Sequence, residues 1–144
     1  NKAKLVAPLA SMIETVDSKR LVDELARLSA LYGRTTSCLV QVNVGEEPQK
    51  SGCAANEVVP LLEAVESAPH LALAGLMTLP PFHLEASETR IHFRALRALR
   101  EAHGGTLRLP HLSMGMSHDF EAAIEEGATI VRVGTAIFGE RPRR

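Results

Sequence analysis

His111-Leu112-Ser113-Met114-Gly115-Met116-Ser117 is a strand-like segment that runs straight into His118-Asp119-Phe120-Glu121-Ala122-Ala123-Ile124-Glu125-Glu126-Gly127, a short helical pattern closed by a glycine. A strand that feeds a helix without a linker leaves free backbone N–H groups at the strand's end, where an anion is favoured. A second strand-like segment follows, Ile130-Val131-Arg132-Val133-Gly134-Thr135-Ala136-Ile137-Phe138-Gly139, and it offers Gly134 and Thr135 in the equivalent place. Glycine lets the backbone approach a ligand closely, and threonine adds a hydroxyl. Two such turns after consecutive strands predict a cup for one phosphate, and barrels of alternating strands and helices often hold phosphate after their last two strands.

Outward from this pair, strand and helix signals alternate along the whole chain. Ser11 to Val16 reads as a strand. Asp17 or Ser18 then opens a helix with Leu21, Val22, Leu25 and Leu28 on one face, ending at Gly33. A second strand is expected from Ser37 to Val44, followed by a loop to Cys53 and a helix carrying Val58, Leu61, Leu62 and Val65. Pro60 lies near its start, so the helix either begins late or loses a hydrogen bond. Leu71 to Thr78 forms the third strand, Pro80-Pro81 breaks the chain, and Ser87 to His103 restores a helical period through Ile91, Ala95, Leu96 and Leu99. Five strands separated by four helices imply a parallel sheet, because parallel neighbours need a crossover. Pattern alone leaves an open flavodoxin-like sheet and a segment of a barrel in competition.

Composition narrows the function classes. The 144 residues are 45% hydrophobic with a net charge of −1, enough for one domain with a sizeable core. A complete eightfold barrel typically needs roughly 200 residues or more, which exceeds this chain. Acids and bases are interspersed up to Arg141-Pro142-Arg143-Arg144, so neither nucleic acid nor a membrane surface is indicated. Four phenylalanines and one tyrosine are too few for a base-stacking platform. Cys38 in a strand and Cys53 in a polar loop suit a reducing cytoplasm better than a disulfide framework. The six histidines show no metal-ligand spacing, and there is no nucleophile elbow, Walker loop or dinucleotide-binding glycine motif.

Taken together, Leu39-Val40-Gln41-Val42-Asn43, Lys50-Ser51-Gly52, Gly75-Leu76-Met77-Thr78, Leu112 to Ser117 with Asp119 and Glu121, and Val131 to Gly139 resemble the pyridoxal-phosphate homeostasis proteins. These are the stand-alone YggS or PROSC relatives of the alanine racemase barrel. The resemblance spans essentially all of the chain. It implies a parallel (β/α) barrel of the TIM type, with the five strands as its fourth to eighth. It also implies that three N-terminal strand-helix units of that family have no counterpart in this sequence, and with them the lysine that forms the internal aldimine with the cofactor. The four lysines, Lys2, Lys4, Lys19 and Lys50, match no such position. The chain is therefore expected to be the C-terminal part of a longer protein, with that segment or another chain completing the barrel.

The resemblance assigns pyridoxal 5'-phosphate (PLP) as cofactor and Met77, Ser113, Gly115, Met116, Ser117, Arg132, Gly134 and Thr135 as its binding residues. Arg132 is the oddest residue of its strand, since Ile130, Val131 and Val133 give no reason for a guanidinium. Pattern alone leaves two readings for it, a structural ion pair or a ligand contact; the resemblance places it by the pyridine nitrogen. A permanent cation there disfavours protonation of that nitrogen and weakens the ring as an electron sink. Ser117 fits an ordinary helix cap as well as a phosphate contact. Met114 and Met116 also suit core packing, and Met77 suits packing or the cofactor ring. Lys50 reads as a surface lysine, with a secondary cofactor contact as the alternative, and Asn43 as a structural residue of the mouth. The implied function is a carrier or buffer of PLP that serves PLP-dependent apoenzymes, without efficient catalysis of its own. A PLP-dependent racemase and a barrel binding another small phosphate ester are the rival readings.

Overall fold

A computed structural model of the chain describes residues 2–45, 51–81 and 85–139. Lys50, Phe82 and the basic 141–144 tail lie outside the described residues. In chain order the elements are α1 (Ala3–Val6), β1 (Met12–Val16), α2 (Lys19–Leu31), β2 (Thr36–Gln41), a 3-10 turn (Ala55–Glu57) leading into α3 (Val58–Ser67), β3 (Leu71–Met77), α4 (Ala86–Ala102), α5 (Gly105–Arg108), β4 (His111–Met116), α6 (Phe120–Glu125), β5 (Ile130–Arg132) and α7 (Thr135–Phe138).

All four strand pairings are parallel, and the order across the sheet is β1-β2-β3-β4-β5. Each crossover therefore advances one place in the same direction. Right-handed crossovers of that kind put every connecting helix on one side, whereas a flavodoxin-like sheet reverses direction partway. The two core clusters agree. On one side Val16, Val40, Leu76, Leu112 and Met114 of the strands pack with Val22, Leu25, Leu62, Phe93, Leu96 and Ala123 of the helices. On the other, Leu39, Ala74 and Met77 meet only Met12 and Ile130, all strand residues. Curvature is shown by one contact. Strands spaced about 4.8 Å apart would separate β1 from β5 by about 19 Å in a flat sheet. Arg132 Nη1 of β5 nevertheless lies 3.5 Å from Glu14 Oε2 of β1. The sheet is curled into an arc of a parallel (β/α) barrel, with the small second cluster on its inner wall.

The elements form for local reasons. α2 buries Val22, Leu25 and Leu28, then stops where Gly33 adopts φ +60 and the Arg34 N–H reaches the Ser29 carbonyl at 3.0 Å. Pro60 falls in the first turn of α3, where a missing N–H is best tolerated. α6 is tied to α4 by Glu126, whose buried carboxylate accepts from Arg90 Nη1 at 3.1 Å and Arg94 Nε at 3.0 Å, with Arg97 Nη1 3.1 Å from its other oxygen. Burial alone would raise this carboxyl, and the hydrogen bonds from Arg90 and Arg94, with the charges of Arg94 and Arg97, more than offset it; the net shift is downward.

Four expectations are corrected. Ile130 to Gly139 is not one strand: β5 stops at Arg132, and Gly134 opens the helical turn α7. The Ser117 hydroxyl takes the N–H groups of Gly134 and Ala136, which favours a turn over a ladder. β2 ends at Gln41, and Val42 continues into an isolated bridge with Cys53. That bridge draws Cys53 inside, so it is 3% exposed and not part of a polar loop. α4 turns inward through Thr89, Phe93, Leu96 and Arg100, while Ile91 is 70% exposed and Ala95 also faces out. Two stripes on that helix have helical spacing, and the ring of Phe93 gives the inward one the larger buried surface.

Candidate functional site

The polar groups of the sheet converge at the mouth of the arc, by the C-terminal ends of the strands. Inward-facing positions recur every second residue along a strand, so Glu14 on β1, Ser113 on β4 and Arg132 on β5 share the interior wall. Arg132 donates through Nη1 to Ser113 Oγ and through Nη2 to the Thr78 carbonyl at 2.9 Å. Ser113 Oγ in turn donates to Glu14 Oε2 at 2.6 Å. Thr78 is itself fixed, its hydroxyl donating to the Val42 carbonyl at 2.9 Å. Residues of β1, of β4 and just past β3 thus hold the guanidinium of β5. Desolvation lowers the pKa of Arg132, and the Glu14 charge works against that shift; an arginine keeps its proton under either influence. Its side chain is 28% exposed, so it is not sealed from solvent.

Beside it the two turns meet. Ser117 Oγ accepts from the Gly134 N–H at 3.0 Å and the Ala136 N–H at 3.3 Å. The hydroxyl therefore caps α7, not the helix that follows it. At α6 the cap position belongs to Asp119, whose Oδ1 accepts the Met116 N–H at 2.6 Å. Thr135 is exposed, and a methyl group added at Gly134 would meet no atom within 4 Å. The turn is consequently open at Gly134 and Thr135.

The other residues fall into two groups. Ser113 joins Arg132 directly. Met77 is 2% exposed and packs in the inner-wall cluster with Leu39 and Ala74. Gly115 faces the helices: at φ +96 an added Cβ would lie 2.6 Å from Ala123 Cβ, so glycine there lets α6 approach β4. Met116 is half-buried in the same turn, and Met114 is fully buried in the main core. The Asn43 N–H donates to the Cys53 carbonyl at 3.0 Å, in keeping with a structural residue. Glu14 and Thr78 were missed by sequence reasoning. Glu14 did carry a signal, since an acid between Ile13, Thr15 and Val16 is as anomalous as Arg132 among valines.

Known proteins resemble the chain throughout. A protein of Aquifex aeolicus named pyridoxal phosphate homeostasis protein is 43% identical over 143 residues, covering 98% of this chain and 63% of its own length. Two solved structures superpose closely. One, an unknown protein from Bifidobacterium adolescentis, is 40% identical with a TM-score of 0.86, covering 96% of this chain and 56% of that chain. The other, PipY of Synechococcus elongatus with PLP bound, is 34% identical with a TM-score of 0.83, covering 96% and 66% respectively. The chain spans a little under two thirds of the length of the curated relatives it matches. The family description that matches is alanine racemase, N-terminal domain, across residues 2–142, and with its parallel strand order and curled sheet the chain belongs to that family.

Proposed function

We propose that this chain forms the phosphate-proximal part of a PLP carrier that acts in intracellular PLP homeostasis. The observation that carries this is Arg132, bonded to Ser113 on the inner wall and followed two residues later by the Ser117-capped turn of Gly134 to Ala136. That donor set suits an aromatic phosphate: backbone N–H groups and two hydroxyls for the phosphate, and a fixed cation for the ring. Ser117, Gly134 and Thr135 would take the phosphate, sharing or replacing the hydrogen bonds that Ser117 now makes. Arg132 would face the pyridine nitrogen, with Ser113 holding it, Met77 under the ring and Met116 at the turn. Gly115 contributes through the turn's shape.

PLP, when bound, supplies an aldehyde for amines and a ring that stabilises carbanions. A guanidinium by the ring nitrogen disfavours its protonation, which suits storage over turnover. The recipients would be PLP-dependent apoenzymes, and the two buried, unpaired thiols, Cys38 and Cys53, suit a reducing cytoplasm. Among the described residues no helix is long and apolar enough to cross a membrane.

The test is an absorbance titration with PLP, competed by inorganic phosphate, on the full chain and on Arg132→Ala. Saturable binding that weakens by about ten- to a hundredfold in the variant is expected, the worth of a hydrogen bond to a charged group. Binding that ignores both phosphate and Arg132 would defeat the reading. Exchange of the alanine α-hydrogen at about 1 s⁻¹ or faster would make the protein an enzyme instead.

A further inference from the structure

Glu14 lies ninety-nine residues from Ser113 and 118 from Arg132 in sequence, yet its carboxylate is the acid that meets both inside the arc. Among the described residues no other carboxylate pairs with Arg132. The guanidinium is a planar fork with five N–H donors, and its orientation follows from which of them are held. Nη1 is held by Ser113 and Glu14, and Nη2 by the Thr78 carbonyl. These contacts come from β1, from the end of β3 and from β4, and they fix the plane of the group. The side chain stays 28% exposed, so part of the group remains open to solvent. Ser113 accepts from the cation and donates to the anion, so it transmits the pull of Glu14 even where the direct contact is 3.5 Å long.

We propose that Glu14 is the positioning residue of this site: its carboxylate aims Arg132 from across the barrel interior and sets the net charge that a ligand's ring nitrogen meets there. With Glu14 ionised, the ring faces a cation largely balanced by its counter-ion; with Glu14 neutralised, it faces a more weakly compensated positive charge, offset only by the field of Asp119, which also acts on Arg132. The charge-setting half rests on the PLP reading, while the aiming of Arg132 does not.

Two measurements separate them, made on the full chain, on Glu14→Gln and on Glu14→Asp, with thermal unfolding as the check on folding. The first needs no cofactor: the rate at which phenylglyoxal modifies Arg132, followed by peptide mass. Glu14→Gln should speed it by about tenfold, the low end of what a hydrogen bond to a charged group is worth. The second uses pyridoxine 5'-phosphate, which has the ring nitrogen but no aldehyde, and follows the absorbance of the bound ring against pH. In Glu14→Gln the pH of half-protonation of the ring nitrogen should fall by about one unit, as one removed charge several ångströms away dictates. Glu14→Asp keeps the charge but draws it back by a methylene, so labelling should rise while the midpoint stays; this variant also decides the matter if Glu14→Gln does not fold. Unchanged labelling in a folded variant overturns the proposal whether or not any ligand binds. Faster labelling in a chain that binds no pyridoxine phosphate would uphold the aiming of Arg132 and defeat the PLP reading. Faster labelling with a fixed midpoint would overturn the charge-setting role.

Discussion

Burial pushes the thiols of Cys38 and Cys53 up to about 11, and at Cys53 the nearby carboxylates of Glu57 and Asp17 add to the effect. A thiol whose folded pKa exceeds its unfolded value stabilises the fold below the unfolded value, near 9, and loses that contribution as pH rises through 11. We expect both cysteines to resist alkylation at neutral pH and to react once urea unfolds the chain. The urea midpoint should hold up to pH 9 and fall between 9 and 11, by at most about 2 kcal/mol per thiol; a midpoint that is flat to pH 11 would show the thiols to be solvated. At this scale Arg132 was legible because a charge in an apolar strand has no packing reason. Its counter-ion was not, since the contact with Glu14 joins residues 118 apart and leaves no local trace. Cys53 shows the same limit: its neighbours Ser51 and Gly52 are polar or small, and only the bridge to Val42 takes it inside.

Among the elements, the pairing of β3 with β4 depends on one atom's absence. Gly75 sits opposite His111 at φ +148, and a Cβ built there would lie 1.9 Å from the His111 carbonyl oxygen. The obstacle is backbone, so the strands must part. Gly75→Ala should cost about 1–3 kcal/mol or more, as overpacking does. Gly134→Ala, whose methyl meets open space at a negative φ, should stay within about 0.5 kcal/mol. Thermal unfolding of the two variants side by side checks the contrast. Element existence was readable along the chain because each strand and major helix carries its own hydrophobic period. Their limits were less so. β5 shortened because Ser117, from another turn, captured the N–H groups that would have continued it. α4 turned its Phe93 stripe inward because β3, β4 and α6 chose between two apolar faces of similar spacing.

For the whole molecule, β1 and β5 each have a single neighbour in the five-stranded sheet. Leu5 and Leu9, flanking β1, are 73% and 84% exposed, and Ile137 and Phe138, after β5, are 68% and 84% exposed. Open strand edges beside uncovered apolar side chains favour pairing with another chain. We therefore expect these 144 residues alone to associate in a concentration-dependent way in sedimentation velocity, and the double change Ile137→Glu with Phe138→Lys to reduce it. A monodisperse monomer that unfolds cooperatively would show that the edges need no cover.

Sequence by itself determined the parallel α/β class, the alternation of elements and the identity of the turns at the mouth, because hydrophobic period, caps and glycines act within a few residues of where they stand. It left the open sheet and the barrel level on pattern, with only resemblance to separate them. Tertiary structure decided that the strands run in sequential order and curl, and that Glu14, Thr78, Ser113 and Arg132 meet on one inner wall. Curvature is a property of five strands packed together against their helices. No single segment encodes it, and so the carboxylate that holds the site's arginine became visible only once the sheet had closed the distance.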